Sequence, residues 1–290
     1  MPALAPETIQ QGLAWAQALG LERLDAQVLM MHALGRPPHD RAWLMVHDAD
    51  TLPPSVWPLF EAWCKRRANG EPVAYLVGQR EFYGLTLQIN AHVLDPRPDT
   101  ETLVDWALQV LQNRAKPVVV DLGTGSGAIA LALQHTRPDA HVTAIDASPE
   151  ALAVAQANAQ RLQLPVHCVR SHWLEGWSGP PHSVDLVVSN PPYIAEGDPH
   201  LAALQHEPVM ALTSGPDGLR DIHTIVQQSL PVLKPGGWLL LEHGYDQADA
   251  VAALLTAAGY EHVQHRLDLA GHRRCTGAQA PCRTSQPQGY

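Results

Sequence analysis

The chain has 290 residues, 46% of them hydrophobic and 17% charged, and a formal charge of −10 from twenty-nine acidic and nineteen basic side chains. Such a length holds one large domain and a small one. The acidic balance disfavours a long polyphosphate partner, and no apolar run approaches the ~20 residues that span a bilayer. Met1-Pro2-Ala3-Leu4-Ala5-Pro6-Glu7 lacks the basic-then-apolar order of a secretory signal, so a cytoplasmic protein is expected, bound stably to neither membrane nor nucleic acid.

From about residue 7 to 70 apolar side chains recur at helical spacing, with Ile9, Leu13 and Ala16 in a first helix and Leu24, Val28 and Met31 in a second. Gly20, Gly35 and Gly70 stand where helix C-termini need them. A third helix around Asp40 to Val46 and a fourth that opens at Pro53-Pro54 and carries Val56, Phe60 and Trp63 complete a small bundle, its tryptophans read as core. Lys65-Arg66-Arg67 forms the solvated last turn of that fourth helix, where cations suit the negative end. Next, Gln79 to Phe82 and Leu85 to Ile89 flank Tyr83-Gly84 as a β-hairpin. The run Asp95-Pro96-Arg97-Pro98-Asp99-Thr100-Glu101 then stiffens the chain before a helix through Leu111, capped by Thr100 or Asp99.

From Pro117 strand and helix alternate: Val118 to Val120 and the helix Ala128 to Gln134, then Val142 to Ile145 and the helix Pro149 to Leu162. Further strands fall at Val166 to Val169, Val184 to Val188 and Trp238 to Leu241. This order means parallel strands with helical crossovers, an α/β fold that binds ligands at the strand C-terminal edge. The expected divisions are 1–78 for the helical domain, 79–95 for the hairpin connector, 96–277 for the α/β domain and 278–290 for a frayed tail. Cys64, Cys168, Cys275 and Cys282 lack C-x-x-C spacing and read as free thiols. The sixteen histidines show no ligand pattern, since His262 and His265 on a strand face opposite ways, and no metal is expected.

Asp121-Leu122-Gly123-Thr124-Gly125-Ser126-Gly127-Ala128 follows the first α/β strand and opens a helix, and Asp146 closes the next strand. Gly123, Gly125 and Ala128 satisfy the dinucleotide fingerprint, with Asp146 about where a ribose-binding carboxylate falls, so the loop alone fits either a dinucleotide or S-adenosylmethionine. Asp121 separates them: a carboxylate there repels a pyrophosphate but attracts an ammonium and a sulfonium. Trp173, after the third strand, is placed to stack on an adenine or to fill the core.

Asn190-Pro191-Pro192-Tyr193 follows the strand that begins at Val184. A planar amino group offers two in-plane donors, so a catalyst acting on it needs two fixed acceptors that leave one face of the nitrogen open. The Asn190 side-chain oxygen and a proline carbonyl supply such acceptors, because consecutive prolines fix φ and turn their carbonyls outward, and Tyr193 adds a flat wall. The pattern points to methyl transfer onto an amide or exocyclic nitrogen; an ordinary Asn-Pro turn is the plain alternative.

With these residues assembled, the chain resembles the HemK/PrmC family, the protein-(glutamine-N5) methyltransferases of class I peptide release factors. The resemblance runs to about Gly277 and rests on Gln79-Arg80-Glu81-Phe82-Tyr83, Pro96 to Glu101, Asp121 to Gly127, Asn190 to Tyr193 and Leu241-Glu242-His243-Gly244. It implies a class I S-adenosylmethionine-dependent methyltransferase, with a Rossmann-like seven-stranded sheet whose antiparallel final strand Arg266 to Gly277 fits. It also implies that Asp121 and Gly123, Thr124, Gly125, Ser126 and Gly127 hold the methionine end of the cofactor, Asp146 the ribose and Trp173 the adenine. Asn190, Pro191, Pro192 and Tyr193 become the clamp for the glutamine of a Gly-Gly-Gln motif, and the helical domain a docking surface for release factors. Related ribosomal-protein glutamine methyltransferases share N-P-P-Y but not R-P-[DE]-T-E. Adenine-N6 and guanine-N2 methyltransferases of nucleic acid also share it, and the acidic charge weighs against them. Two positions depart from the family pattern: Asp95 stands for an aliphatic residue, and His172 for an aspartate expected near the adenine amino group.

Overall fold

The computed structural model of the protein describes residues 5–37 and 40–282. Five helices come first: α1 (Ile9–Ala18), α2 (Arg23–Ala33), α3 (Arg41–Val46), α4 (Trp57–Ala68) and α5 (Val73–Val77). Thr8 caps α1 by accepting from the Gln11 N–H, and Gly20, Gly35 and Gly70 adopt positive φ just past α1, α2 and α4. The apolar stripes converge: Ile9, Leu29, Met30, Met31 and Phe60 are all at most 2% exposed. Burial of each such side chain contributes about 1.5–3 kcal/mol. Trp15, Trp43, Trp57 and Trp63 pack partly buried against this core. In the last turn of α4, Lys65 pairs with Glu61, Arg66 with Glu71, and Arg67 with Asp25 of α2. The short helix α5 has no counterpart in the periodicity, because five residues are too few to show a repeat.

The hairpin of β1 (Gln79–Phe82) and β2 (Leu85–Gln88) turns through Tyr83 at φ 51° and Gly84 at φ 74°, the left-handed pair that matches strand twist in a two-residue loop. A 3₁₀ turn at Pro98–Thr100 leads into α6 (Glu101–Leu111). Neither Asp99 nor Thr100 caps it with its side chain, contrary to expectation. The Thr100 hydroxyl faces Asn190 instead.

The α/β part follows as β3 (Val118–Leu122), α7 (Ala128–Thr136), β4 (His141–Asp146), α8 (Pro149–Leu162), β5 (His167–Arg170) and β6 (Val184–Ser189). It continues with α9 (Arg220–Ser229), β7 (Leu233–Glu242), α10 (Ala248–Ala257), β8 (Glu261–Leu267) and β9 (Arg273–Gln279). One seven-stranded sheet results, ordered β5-β4-β3-β6-β7-β9-β8, parallel from β5 through β7, with β9 antiparallel to both β7 and β8. Helices cover the sheet, so β6 is buried at every position, which accounts for its unbroken apolar character. β9 runs to Gln279, so Ala278 and Gln279, expected in the tail, are paired with Leu239 and Trp238; the tail residues from 283 on lie outside the described residues. The pair His262 and His265 also departs from simple alternation, because the register of β8 shifts between Glu261 and Gln264, with His262 at φ 55°. Among the described residues no helix is long and apolar enough to cross a membrane.

The chain divides into two compact units, the described residues up to Gln79 with Ala203–His206, and Arg80–Ala202 with the described residues from Glu207 on.

Candidate active site

The strand order reverses between β3 and β6, and there the chain leaves the sheet in two directions. Leu122 pairs with Ser189, and the Ser189 hydroxyl donates to the Leu122 carbonyl at 2.7 Å, so Gly123 and Asn190 emerge side by side. On one flank Leu122 pairs with Ile145, which brings in Asp146; on the other Ser189 pairs with Leu241, which brings in Glu242. A cavity of 450 Å³ opens over these strand ends.

On the β3 side, Gly123, Gly125 and Gly127 take φ of 69°, 54° and 85°. A Cβ on Gly127 would lie 3.0 Å from Leu131 Cδ1 and 3.3 Å from Ala155 Cβ, whereas one on Gly125 would meet nothing within 4 Å. The loop is therefore packed at Gly127, presses Gly123 against Trp173, and is bare at Gly125 on the cavity wall. Asp146 Oδ2 accepts from the Gly125 N–H and Oδ1 from the Ser148 N–H, both at 2.9 Å, while burial pushes its carboxyl up. Asp121 is completely buried beneath the loop. Its Oδ2 accepts from the Thr124 hydroxyl at 2.6 Å and from the Ala130 N–H at 3.2 Å, and burial raises its pKa to about 7. It does not line the cavity. Its visible work is to shape the loop from below, rather than to present a charge to a ligand.

On the β6 side, Asn190 lines the cavity, and its Nδ2 donates to the Thr100 hydroxyl at 3.2 Å. Thr100 and Asn190 both lie beside Glu242 and favour its charged form, but Glu242 is 1% exposed and burial raises its pKa to about 7. Pro192 adds to the wall. Tyr193 is partly buried against the sheet core, and burial together with the Glu242 charge raises its hydroxyl pKa. The Tyr193 carbonyl is held by Gln247 Nε2 at 3.0 Å, and Gly218 comes so close beneath it that an added Cβ would lie 2.1 Å from that oxygen.

Of the residues singled out in the sequence, Gly123, Gly125, Asp146, Trp173, Asn190 and Pro192 share the cavity wall. Asp121, Thr124, Ser126, Gly127, Pro191 and Tyr193 stand outside that lining. Trp173 takes both of its alternatives: it lines the cavity, yet at 9% exposed it packs with Leu122 and Ile145, under Gly123. Its backbone is left-handed, at φ 49°. Thr100, Glu242 and Asn158 were not read as part of the site. Fully buried Asn158 on α8 donates to the carbonyls of Ser126 and Gln88, each at 3.0 Å, and accepts from the Gln88 N–H at 2.7 Å, tying the glycine loop to the hairpin. An uncharged residue inside an alanine-rich helix gives no sequence signal of that role. Glu242 does give one, since a carboxylate closing an apolar strand is costly to bury. Among the described residues no cluster of three His, Cys, Asp or Glu side chains is spaced for a metal ion.

Residues 10–78 match the PrmC N-terminal domain, and residues 100–211 match the Methyltransferase small domain. The release factor glutamine methyltransferase of Bordetella pertussis is 49% identical over 260 residues, covering 89% of this chain and 95% of its own. That of Burkholderia pseudomallei is 45% identical and covers 97% of both. The chain belongs to the release factor glutamine methyltransferase family. It is accordingly a methyltransferase. The fold agrees: a methyltransferase from Pyrococcus furiosus superposes with a TM-score of 0.50 at 18% identity, over 68% of this chain and 90% of that one.

Within this methyltransferase the two departures from the family pattern have distinct surroundings. Asp95 is 5% exposed and lies between Arg80, at 3.4 Å, and Arg97, at 3.5 Å; its N–H donates to Glu207, which Arg97 also holds. Burial pushes its carboxyl up while the two guanidiniums pull it down. A charge where an aliphatic residue is usual is thus matched by two cations. His172 is exposed on the cavity wall, with Nδ1 3.1 Å from Glu175 Oε1.

Proposed function

We propose that this cavity holds S-adenosylmethionine against the glycine loop, and that Asn190 and the prolines after it present the side-chain amide of a glutamine to it. The observation carrying this reading is the pairing of Leu122 with Ser189, which sets the glycine loop and Asn190 on one wall. The wall fits the ligand in three respects. A volume of 450 Å³ suits a molecule of that size. Gly125 leaves its side of the loop bare, and Asp146 offers carboxylate lone pairs to ribose hydroxyls. Trp173 gives an aromatic surface for the adenine, and Asp121, with Thr124, Ser126 and Gly127, keeps the loop in shape.

When bound, S-adenosylmethionine supplies an electrophilic methyl group. The chain's part is to make a poor nucleophile ready, since an amide lone pair is delocalised into its carbonyl. Accepting both N–H hydrogens, at Asn190 and at a proline carbonyl, builds charge on nitrogen and fixes its lone pair toward the methyl carbon. No strong base is required, because the proton can leave during or after transfer. Tyr193, outside the cavity lining, is held through its carbonyl by Gln247 and so braces the turn that carries the prolines.

The substrate in this reading is the Gln of the Gly-Gly-Gln motif in class I peptide chain release factors, with the helical domain, residues 1–78, as the docking surface and the cytoplasm as the place of action. Support comes from the names of the relatives and from the match of residues 10–78 to the PrmC N-terminal domain. A glutamine alone offers too few contacts to select one protein. Incubation with labelled S-adenosylmethionine and a class I release factor, followed by peptide mass spectrometry, tests it: one methyl must map to that glutamine. Label on nucleic acid or on a ribosomal protein, with none on the release factor, refutes it.

A further inference from the structure

Glu242 ends β7 as a carboxylate with no exposed surface to speak of, at 1%, and one of its oxygens, Oε2, has no hydrogen-bond partner among the described residues. Arg274 attracts it without forming an ion pair, and Asp99 repels it. The groups that serve it are neutral: the Thr100 hydroxyl and the Asn190 carboxamide. A buried anion so poorly compensated is costly, so a purely structural role would be better filled by an apolar side chain. Its position is set by register, since Ser189 pairs with Leu241 and the next residue on each strand is Asn190 and Glu242.

We propose that Glu242 is a positioning residue that holds Asn190 in one of its two amide orientations, with the carboxamide NH2 turned inward and the oxygen presented to the cavity. An asparagine side chain is nearly symmetric in shape, so packing hardly distinguishes its two ends; only hydrogen-bond polarity does. An ionised carboxylate accepts and cannot donate. It therefore binds the NH2 end through Thr100, which lies beside Glu242: the Thr100 hydroxyl accepts from Asn190 Nδ2 at 3.2 Å and turns its own proton to the carboxylate. The oxygen is then committed to the cavity, where it accepts an N–H of the substrate amide. A protonated Glu242 can donate, accepts the flipped amide equally well, and loses the selection.

This inference rests on the reading of Asn190 as the acceptor for the glutamine amide, and it adds what fixes that acceptor. The charged or titratable groups around Glu242 are Arg274 and Cys275 on β9, Asp99 before α6, Tyr193 and the adjoining His243. Burial lowers His243 to about 4, and burial raises the Tyr193 hydroxyl and the Cys275 thiol, so none of these three titrates near neutrality.

The test compares wild type and Glu242→Gln for methylation of a class I release factor between pH 5.5 and 9, with S-adenosylmethionine affinity measured alongside. The wild-type kcat should climb along a single-group limb centred near 7, where Glu242 ionises, and level off above it. Glu242→Gln should retain cofactor affinity, lose roughly tenfold or more in kcat at pH 8, and lack that limb. In the Asn190→Ala background, Glu242→Gln should lower kcat no further, because the two act through one group. A Glu242→Gln enzyme with wild-type kcat, or one that keeps the limb, overturns the proposal. Should that variant not fold, Thr100→Val probes the same relay, and an unchanged kcat there overturns it too. Asn190→Ala separates the two layers: near-normal turnover by that variant ends the clamp reading itself, whereas an inactive Asn190→Ala beside a normal Glu242→Gln ends only the present inference.

Discussion

The two strand ends that frame the cavity each bury a carboxylate, Asp121 on β3 and Glu242 on β7, and burial raises both to about 7. Their partners differ. Asp121 is held through Oδ2 by Thr124 and Ala130, neighbours on the same loop and helix, so it locks a local shape even though its Oδ1 has no hydrogen-bond partner among the described residues. Glu242 is met by Thr100 and Asn190, which arrive from separate segments and meet only in the folded sheet. One buried acid is a clasp within a motif, and the other is a junction between motifs. The same energetic cost therefore serves loop geometry in the first case and, in the inference above, orientation of a reacting group in the second.

The largest effect that would sharpen this contrast is at Asn190. Replacing it with Ala should cut kcat by roughly 10²–10³ while leaving calorimetric affinity for S-adenosylmethionine nearly intact; a parallel loss of affinity would merge the two sides into one. Next comes Asn158→Ala, which strips the Gln88 and Ser126 groups of their shared partner. Unfolding by urea should show a loss of about 1–3 kcal/mol, the penalty for unsatisfied buried polar groups, together with weaker cofactor binding.

Asp121→Asn acts on the pH dependence of stability. The folded pKa, about 7, lies above the usual 3.8, so the unfolded chain releases the proton first. The contribution of Asp121 to stability is then full below about pH 4 and declines up to about pH 7, on the order of 1 kcal/mol per pH unit. The variant should flatten that decline in melting experiments and leave the pH limb of kcat in place; a vanished limb would mean that Asp121, not Glu242, governs it. The smallest effect is Gly125→Ala, where open space leaves only the left-handed strain at φ 54°, about 1–2 kcal/mol. Its cofactor affinity should fall more than its melting temperature suggests, because the new methyl enters the cavity wall. Equal affinity for wild type and variant would place the ligand elsewhere.

Much of this arrangement was legible in the residues. Helix α8 begins and ends where the sequence placed it, at Pro149 and Leu162, because Ser148 caps it and its apolar stripe is long enough to show a period. The hairpin turn at Tyr83-Gly84 and the glycine loop were equally readable, since each depends on neighbours within a few positions. Thr100 was misassigned as a helix cap for an instructive reason. Its position satisfies the local rule, but its hydroxyl is taken by Asn190, a partner brought in by the packing of α6 on the sheet. Asp121 shows the same limit of local reading. Charge and spacing were right, yet depth in the sheet is not visible from sequence, and the carboxylate lies below the cavity instead of on its wall.

What the amino-acid order determined by itself was the set of local conformations: strands from β-branched runs, helices from apolar stripes and caps, turns from glycine and proline. It also determined the family, through motifs that are contiguous in the chain. Only the tertiary structure decided which motif ends meet. The pairing of Leu122 with Ser189 and of Ser189 with Leu241 brings Gly123, Asn190 and Glu242 together from three separate strands. A slip in either pairing would separate them, although every local propensity stayed the same. Strand register is fixed by burial on both faces of the sheet, a property of the whole domain, and the junction at Glu242 is therefore a consequence of packing that no single segment encodes.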